Sequence, residues 1–410
     1  TRKDIKDMKY SKDEVMQYVE EEDVKFIRLA FCDVFGKQKN ISIMPEELNR
    51  AFDGGIAIDA WSIEGFGGNV HSDLFLRPDP STLAILPWRP EHGRVVRMFC
   101  NITWPDGSSF EGDSRAFLQR AVEAAKKAGC RFRFGSEQEF YLFENDEEGR
   151  PTKVPFDWAG YMDVSPEDKG EDVRREICMA LEQMGIYPES SHHEEGPGQN
   201  EISFRSADAL TAADNALTFS MAVRTIAGRN GICADFSPKP LPACPGNGMH
   251  VNFSVKSTSG EELLQPAIAG IMAHIKEMTA FLNPSGMSYK RFGKDKAPAY
   301  ISWSAENRSQ LIRVPAAGEP FRRAELRSPD SMANPFIAYG LIIYAALDGI
   351  VNKMPLPEPV DKNLYMESEE ELQGLERLPV SLKEAQGIAE KSEFIQKYLP
   401  DSIRMAYLQR

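Results

Sequence analysis

The sequence predicts an α+β protein in two parts, a small domain over residues 1–107 and a larger one over 108–410. Three observations predict it. The 410 residues exceed what one compact core organises. Stretches that alternate polar and apolar residues, as strands do, are interspersed with segments carrying an apolar stripe at helical spacing. A turn signal, Pro105-Asp-Gly107, precedes a capped helix that opens a second run of elements.

In order along the chain, residues 11–22 read as a short acidic helix. Lys25–Cys32 alternates as a strand, Asp33-Val-Phe-Gly36 turns, and Gln38–Met44 returns. A helix follows over 45–52, and 83–88 and 95–104 are two more strands. The second part opens with Asp113 as N-cap, an apolar stripe of Phe117, Leu118, Ala121 and Ala125, and Gly129 as the stop. Strands around 131–143 come next. A helix over 167–184 follows, with Val173, Ile177, Leu181 and Met184 on one face. A strand through 192–194 turns at Gly196-Pro-Gly198 and returns through Glu201. A long helix over 207–228, the strand of His250, and helices over 263–282 and 336–351 complete the reading. Glu367–Leu372 is a short acidic run, a solvated loop or a helix start.

Composition excludes several classes. Hydrophobic residues at 42% and charged residues at 27% are ordinary for a water-soluble globular protein. A net charge of -14 argues against a general nucleic-acid binder. A local arginine cluster still permits an anionic substrate. The six cysteines show no CxxC and no regular spacing, as expected in a reducing compartment without a disulfide frame or zinc knuckle. No apolar run approaches roughly 18 residues and no signal peptide is visible. A cytoplasmic protein with no membrane contact is expected.

The chemistry lies in five stretches: Gly135–Phe140, His192–Glu194, Gln199–Phe204, Gly248–Ser254 and Arg323–Arg327. Side chains alternate across a strand. Glu137 and Glu139 therefore share a face, as do His250, Asn252 and Ser254, and Arg323, Glu325 and Arg327. Met249, Val251, Phe253, Ala324 and Leu326 fall on the opposite faces. Glu194 and Glu201 are expected to face each other across the tight turn. So many like charges are unfavourable together unless a cation neutralises them. Oxygen-rich ligands with a single imidazole favour Mg²⁺ or Mn²⁺ over a histidine-based zinc site. Any one of these glutamates alone reads as the solvated face of a half-exposed sheet; the five with His250 do not. Arg291, Arg308, Arg313, Arg323 and Arg327 fall in one short region, and guanidinium groups match phosphate and carboxylate in forked geometry. No P-loop motif appears, so an ATP site here is of another kind.

These strings resemble the glutamine synthetase family over nearly the whole chain. Ile58–Phe66 resembles its N-terminal Asp-Gly-Ser-Ser loop, and Ser136–Phe143 its Glu-x-Glu strand. His192–Glu201 keeps the spacing of its next two glutamates, and Gly246-Asn-Gly-Met-His250 is like its histidine strand. Asn283-Pro, Ser288-Tyr-Lys-Arg291, Trp303–Ser309, Arg323–Asp330 and Ala333-Asn-Pro335 complete the set. The resemblance implies an N-terminal β-grasp-like domain and a larger catalytic domain with a curved antiparallel sheet. It implies a homo-oligomer, a ring hexamer or double-ring dodecamer with active sites between subunits. It also implies roles. Glu139, Glu194 and Glu201 would hold one metal, and Glu137, His250 and Glu325 the other. Ser254, Arg308, Arg313 and Arg323 would contact ATP, and Arg327 would steady the transferring phosphoryl group. Gly246 and Arg291 would contact the acid substrate. Asp59 and Ser62, from the adjacent subunit, would sit at the ammonium site, Asp59 removing a proton. The reaction implied is phosphorylation of the glutamate γ-carboxylate by ATP with Mg²⁺ or Mn²⁺, then attack by ammonia or an amine.

Four departures bear on the amine. The family's flap after Tyr-Lys-Arg carries a glutamate that helps bind ammonium. Here Arg291–Pro298 is one residue shorter and places Lys296 there, with Asp295 beside it. Pro245 precedes Gly246 where the family has Asn. Trp61 replaces a small residue beside Asp59. The arginine usual after Glu-Gly-Phe is replaced near Gly67–Asn69. Metal and nucleotide positions are intact while amine contacts are altered. The readings are a ligase whose acceptor differs from ammonia, with Lys296 pairing an acidic group of that acceptor, or an ordinary glutamine synthetase with a variant flap. A non-catalytic regulatory relative, or a guanidino-kinase-like enzyme that does not need Asp59, are further alternatives. The retained metal set opposes the first of these.

Overall fold

The computed structural model describes residues 9–66, 73–89, 92–305, 307–315, 322–368 and 370–410. Gly67–Asn69 lies outside them. The small domain is built from α1 (Lys12–Glu21), β1 (Val24–Cys32), β2 (Gln38–Ile43), α2 (Leu48–Asp53), β3 (Ile56–Ile58), β4 (Leu74–Pro78), β5 (Ala84–Ile85) and β6 (Arg94–Thr103). Its sheet runs β2-β1-β6-β4-β3 with β5 also on β6. β1 and β6 are parallel and the other pairs antiparallel.

The larger part begins with α3 (Ser114–Lys127), capped by the Asp113 carboxylate on the Arg115 amide and stopped by Gly129 at φ +72°, as the sequence predicts. Its strands are β7 (Cys130–Asn145), β8 (Pro151–Pro155), β9 (Pro188–His193), β10 (Gln199–Phe204), β11 (Ala207–Asp208), β12 (Ile232–Asp235), β13 (Met249–Ser257), β14 (Trp303–Ser304), β15 (Ile312–Arg313) and β16 (Ala324–Leu326). Its further helices are α4 (Glu171–Gln183), α5 (Ala209–Arg229), α6 (Leu264–Leu282), α7 (Pro335–Val351), α8 (Leu382–Lys391), α9 (Glu393–Tyr398) and α10 (Asp401–Leu408).

The sheet order is β14-β15-β16-β13-β7-β10-β9, with β8, β11 and β12 also on β7. β7 is a single strand of 16 residues, where alternation alone suggested several. The sheet is mixed rather than wholly antiparallel, because β14 and β15 run parallel.

Met249, Val251, Phe253, Ala324 and Leu326 are all buried on the back of this sheet. α7 packs against that core and is apolar on nearly every side, which only a fully enclosed helix tolerates. Arg115, 3% exposed, is bound by Asp79 of the small domain and Asp214 of α5, each at 2.9 Å. This bridge ties the small domain to α3 and α5 of the larger part. All six cysteines are free, and among the described residues no helix is long and apolar enough to cross a membrane.

Candidate active site

Strand register brings the acidic residues together. Glu137 on β7 stands opposite His250 on β13. Glu139, two residues on and therefore on the same face, stands opposite Glu201 on β10. Asn252, two past His250, stands opposite Glu325 on β16. Directly opposed side chains in a ladder lie within about 5 Å, so four strands deliver five groups to one spot. The ligand atoms of Glu137, His250 and Glu325 lie within 4.8 Å of one another, as do those of Glu139, Glu201 and His250.

Glu194 arrives differently. The sequence placed it across the turn from Glu201, but Glu201 pairs in register with His192. Glu194 lies past the end of β9, its amide bonded to the Gln199 carbonyl at 2.8 Å. It still joins a cluster with His192 and Glu201 within 4.8 Å. His192 itself was missed. Its Nε2 is 3.5 Å from Glu201 and its Nδ1 3.8 Å from Glu194. The alternation that put Glu194 on the polar face put His192 there too.

The electrostatics fit a cation site. Burial opposes charge on Glu137, yet His250, a hydrogen bond from Asn252 (2.9 Å) and Arg327 hold its carboxyl down to about 2. Burial and the nearby Glu201 push Glu194 the other way, upward, although Lys296 and His192 oppose them. Such crowding is relieved by a hard divalent ion. His250 supplies a direct sign: its Nδ1 is buried without a hydrogen-bond partner, 3.5 Å from both Glu137 and Glu325. An orphaned ring nitrogen between two carboxylates is what a metal ligand looks like. The residues present fit divalent cations.

The arginines close the other side. Arg327, fully buried, donates to Glu325, to the Arg308 carbonyl at 3.1 Å and to the Lys296 carbonyl at 3.2 Å. Arg313 bonds Glu325 at 3.1 Å. Arg323 bonds Asn252 at 2.9 Å, which in turn holds Glu137. Arg291 is buried and bonds the Ser328 carbonyl. Ser254 continues the polar face of β13, opposite Arg133.

A cleft in front of the cluster is lined by Glu139, Glu194, Glu201, His250, Arg291 and Arg327, and further along by Arg308, Gly246 and the flap. A side chain on Gly246 would meet the Pro238 carbonyl at 2.3 Å. Only a bare backbone fits there, which leaves the main chain facing the cleft. Asp59 and Ser62 do not line this cleft of their own chain. Asp59 caps a single turn over Ala60–Ser62, accepting from the Trp61 amide and the Ser62 hydroxyl at 3.0 and 2.6 Å. Trp61 beside it is exposed.

The flap corrects one expectation. Lys296 does not wait free for an acid on the acceptor: its ammonium lies 2.5 Å from Glu195 of the same chain. Asp295, the alternative ammonium ligand, is paired with Lys239 at 2.9 Å.

Comparison with known proteins gives the family. The model of the glutamine synthetase catalytic domain matches residues 111–410, and that of the glutamine synthetase β-grasp domain matches residues 23–105. The chain belongs to the glutamine synthetase family. A glutamine synthetase of Clostridium saccharobutylicum is 43% identical, covering 98% of this chain and 94% of its own. One from Methanosarcina mazei is also 43% identical, over 97% and 92%. One from Staphylococcus aureus is 41% identical, over 96% and 92%.

Among solved structures, a GmaS/ADP complex superposes with a TM-score of 0.87 at 27% identity, covering 96% of this chain and 94% of that one. Apo GmaS gives 0.86 at 27%, covering 96% and 93%. The glutamine synthetase fold, a β-grasp domain followed by a catalytic domain on a curled mixed sheet, is therefore the fold here. The protein is an enzyme of the family's glutamate–ammonia or glutamate–amine ligase class. The family generally uses ATP and divalent metals.

Proposed function

We propose that this enzyme phosphorylates the γ-carboxylate of glutamate, or a closely similar acid, with ATP and joins the activated acyl group to a primary amine in preference to ammonia. The observation that carries an altered acceptor site is the flap. Where a carboxylate would attract ammonium, the cleft has Lys296, while Asp295 is tied to Lys239. A like charge at that point disfavours NH₄⁺ and a protonated amine alike, so the flap marks a changed acceptor site and the structural neighbours supply the case for an organic amine. The structural likeness to GmaS, a γ-glutamylmethylamide synthetase, supports an organic amine as acceptor.

The chain's own residues then divide the work. Glu139, Glu194 and Glu201, with His192 beside them, hold one divalent cation, and Glu137, His250 and Glu325 another. These cations supply charge neutralisation at the phosphates. Arg308, Arg313, Arg323 and Ser254 hold the nucleotide. Arg291 orients the α-carboxylate of the acid, with the Gly246 backbone beside it. An oxygen of the γ-carboxylate attacks the terminal phosphorus and ADP leaves. Arg327 stabilises the charge that develops on the transferring group. The amine nitrogen then attacks the acyl carbon, inorganic phosphate leaves, and Asp59 of a neighbouring subunit takes the proton. That last role requires an assembly, since Asp59 does not line the cleft of its own chain: a ring hexamer or double-ring dodecamer, in which residues 1–107 of one chain meet residues 108–410 of the next, with a cytoplasmic location as part of the same reading.

An ordinary glutamine synthetase with a variant flap is the second reading, favoured by 43% identity to enzymes of that name. Phosphate release from ATP, Mg²⁺ and glutamate, measured with ammonia and with a panel of primary amines, separates the two. Higher kcat/KM with a primary amine supports the proposal; saturation by ammonia at lower concentration than by any amine overturns it. Omitting acid and amine in turn shows whether both are needed.

A further inference from the structure

The flap is clamped to both walls of the cleft. Asp295 and Lys296 hold φ of +46° and +64°, the one pair of consecutive left-handed non-glycine residues among those described. Strain of this kind persists where the surroundings over-determine it. Asp295 is fixed by Lys239, whose side chain is 5% exposed. The Lys296 carbonyl is fixed by Arg327, and the next carbonyl, of Ala297, accepts from the Tyr365 hydroxyl at 3.0 Å.

This backbone delivers the Lys296 ammonium to a defined place. It lies 2.5 Å from the Glu195 carboxylate and 4.7 Å from the centre of the Tyr161 ring. Tyr161 is itself held edge-on against His192 at 5.5 Å. A carboxylate and an aromatic face together form a recognition site for an organic ammonium group. A lysine side chain is a primary alkylammonium on a four-carbon stem, the same species as the charged end of a diamine.

We propose that Glu195 and Tyr161, with the negative charge of Glu194 behind them, form a subsite for a primary alkylammonium group that Lys296 fills from within the chain, so that the enzyme takes monoamines with an uncharged remainder and rejects diamines. This rests on the reading of the protein as an amine-accepting ligase. A second positive charge on the acceptor finds its natural partner taken and meets the Lys296 charge instead.

The test is to empty the subsite. Lys296→Gly suits the left-handed backbone and removes both charge and bulk. Lys296→Met removes charge and keeps bulk. Diamines from ethylenediamine to hexanediamine are each compared with the monoamine of the same length, in the full-length enzyme with ATP, glutamate and Mg²⁺. In Lys296→Gly, KM for at least one diamine is expected to fall about tenfold, the size of one well-placed cation contact. The matched monoamine also loses the like charge of Lys296 but has no second ammonium to seat, so its KM should fall less and the diamine-to-monoamine ratio should shift by at least about threefold. Lys296→Met should show no such gain, and adding Glu195→Gln to Lys296→Gly should abolish it. Equal shifts for diamine and monoamine, or none for either, overturn the subsite.

Hydroxylamine, largely uncharged at neutral pH, traps the activated acid without needing a cation site. No hydroxamate from the unaltered enzyme overturns the ligase reading itself. Hydroxamate formation together with unmoved diamine KM overturns only the subsite.

Discussion

Arg327→Lys is the sharpest probe of how the cleft is organised. The guanidinium is 1% exposed and spends its fork on three partners: the metal-site carboxylate Glu325, the Arg308 carbonyl and the Lys296 carbonyl. One side chain thus ties the ligand strand β16 to the phosphate-facing loop and to the flap. Lysine keeps the charge but presents a compact ammonium without the planar fork. It can follow Glu325 and loses the two carbonyls at 3.1 and 3.2 Å. A hydrogen bond from a charged group contributes about 1.5–3 kcal/mol. The two lost here are long, so the lower figure applies to each, about 3 kcal/mol together. If the same geometry holds the guanidinium against the transferring phosphoryl group, that loss appears in kcat as a factor on the order of 100. The assay is phosphate release at saturating ATP, acid and amine, with urea unfolding alongside. KM for ATP should change less than kcat, because Arg308, Arg313, Arg323 and the metal ligands all keep their own side chains. A variant keeping kcat within about threefold would refute the assignment of Arg327 as both hub and stabiliser.

Other expectations follow from the same structure. Glu325→Gln removes the charge between His250, Arg313 and Arg327, and the Mg²⁺ concentration for half-maximal activity should rise about tenfold or more; an unchanged Mg²⁺ curve contradicts the ligand role. His274 is away from the site, its Nδ1 2.5 Å from Glu277 and its Nε2 2.9 Å from Asp348. Burial pushes its imidazole toward neutral, but these two carboxylates more than offset that and raise it above the ordinary 6.5. Its contribution to stability is complete below that value and disappears as pH rises through the folded-state pKa. The stability gap between the unaltered protein and His274→Gln should shrink between about pH 6 and about pH 9 in urea unfolding, and an equal gap at both would reject the charged form. In Gly349→Ala the new methyl would sit 2.0 Å from the Pro266 carbonyl, where α6 and α7 touch backbone to backbone. The cost should be at least about 1–3 kcal/mol, and an unmoved unfolding midpoint would show that the helices part easily.

Much of the fold was legible because its signals are local. Asp113 and Gly129 bracket α3, and the period-two alternation of Met249–Ser254 sets the faces of β13. The C-terminal helices α8 and α9 were not assigned, although Ser381 and Ser392 cap them with hydroxyls on the amides three residues on. Short helices with weak apolar stripes are separated from loops only by the surface they pack against, here α6. β8 was missed because its partner is β7, about ten residues back across an ordinary turn, and its own residues, Pro151–Pro155, argue against a strand.

By itself the sequence determined which residue types share a face, and so that glutamates, a histidine and arginines meet at one polar surface over an apolar back. Alternation is a property of the single strand and needs no partner. What only the tertiary structure decided is register and company. It set Glu201 opposite His192 and brought both to Glu194. It left His250 Nδ1 unpartnered between two carboxylates. It delivered Lys296 to Glu195 and Tyr161, which lie over a hundred residues away in the chain. Those contacts depend on how separate strands slide and how a strained flap lands, and no local pattern carries that information. The phosphorylating half of the site is accordingly readable from spacing, while the acceptor half is readable only from where the lysine comes to rest.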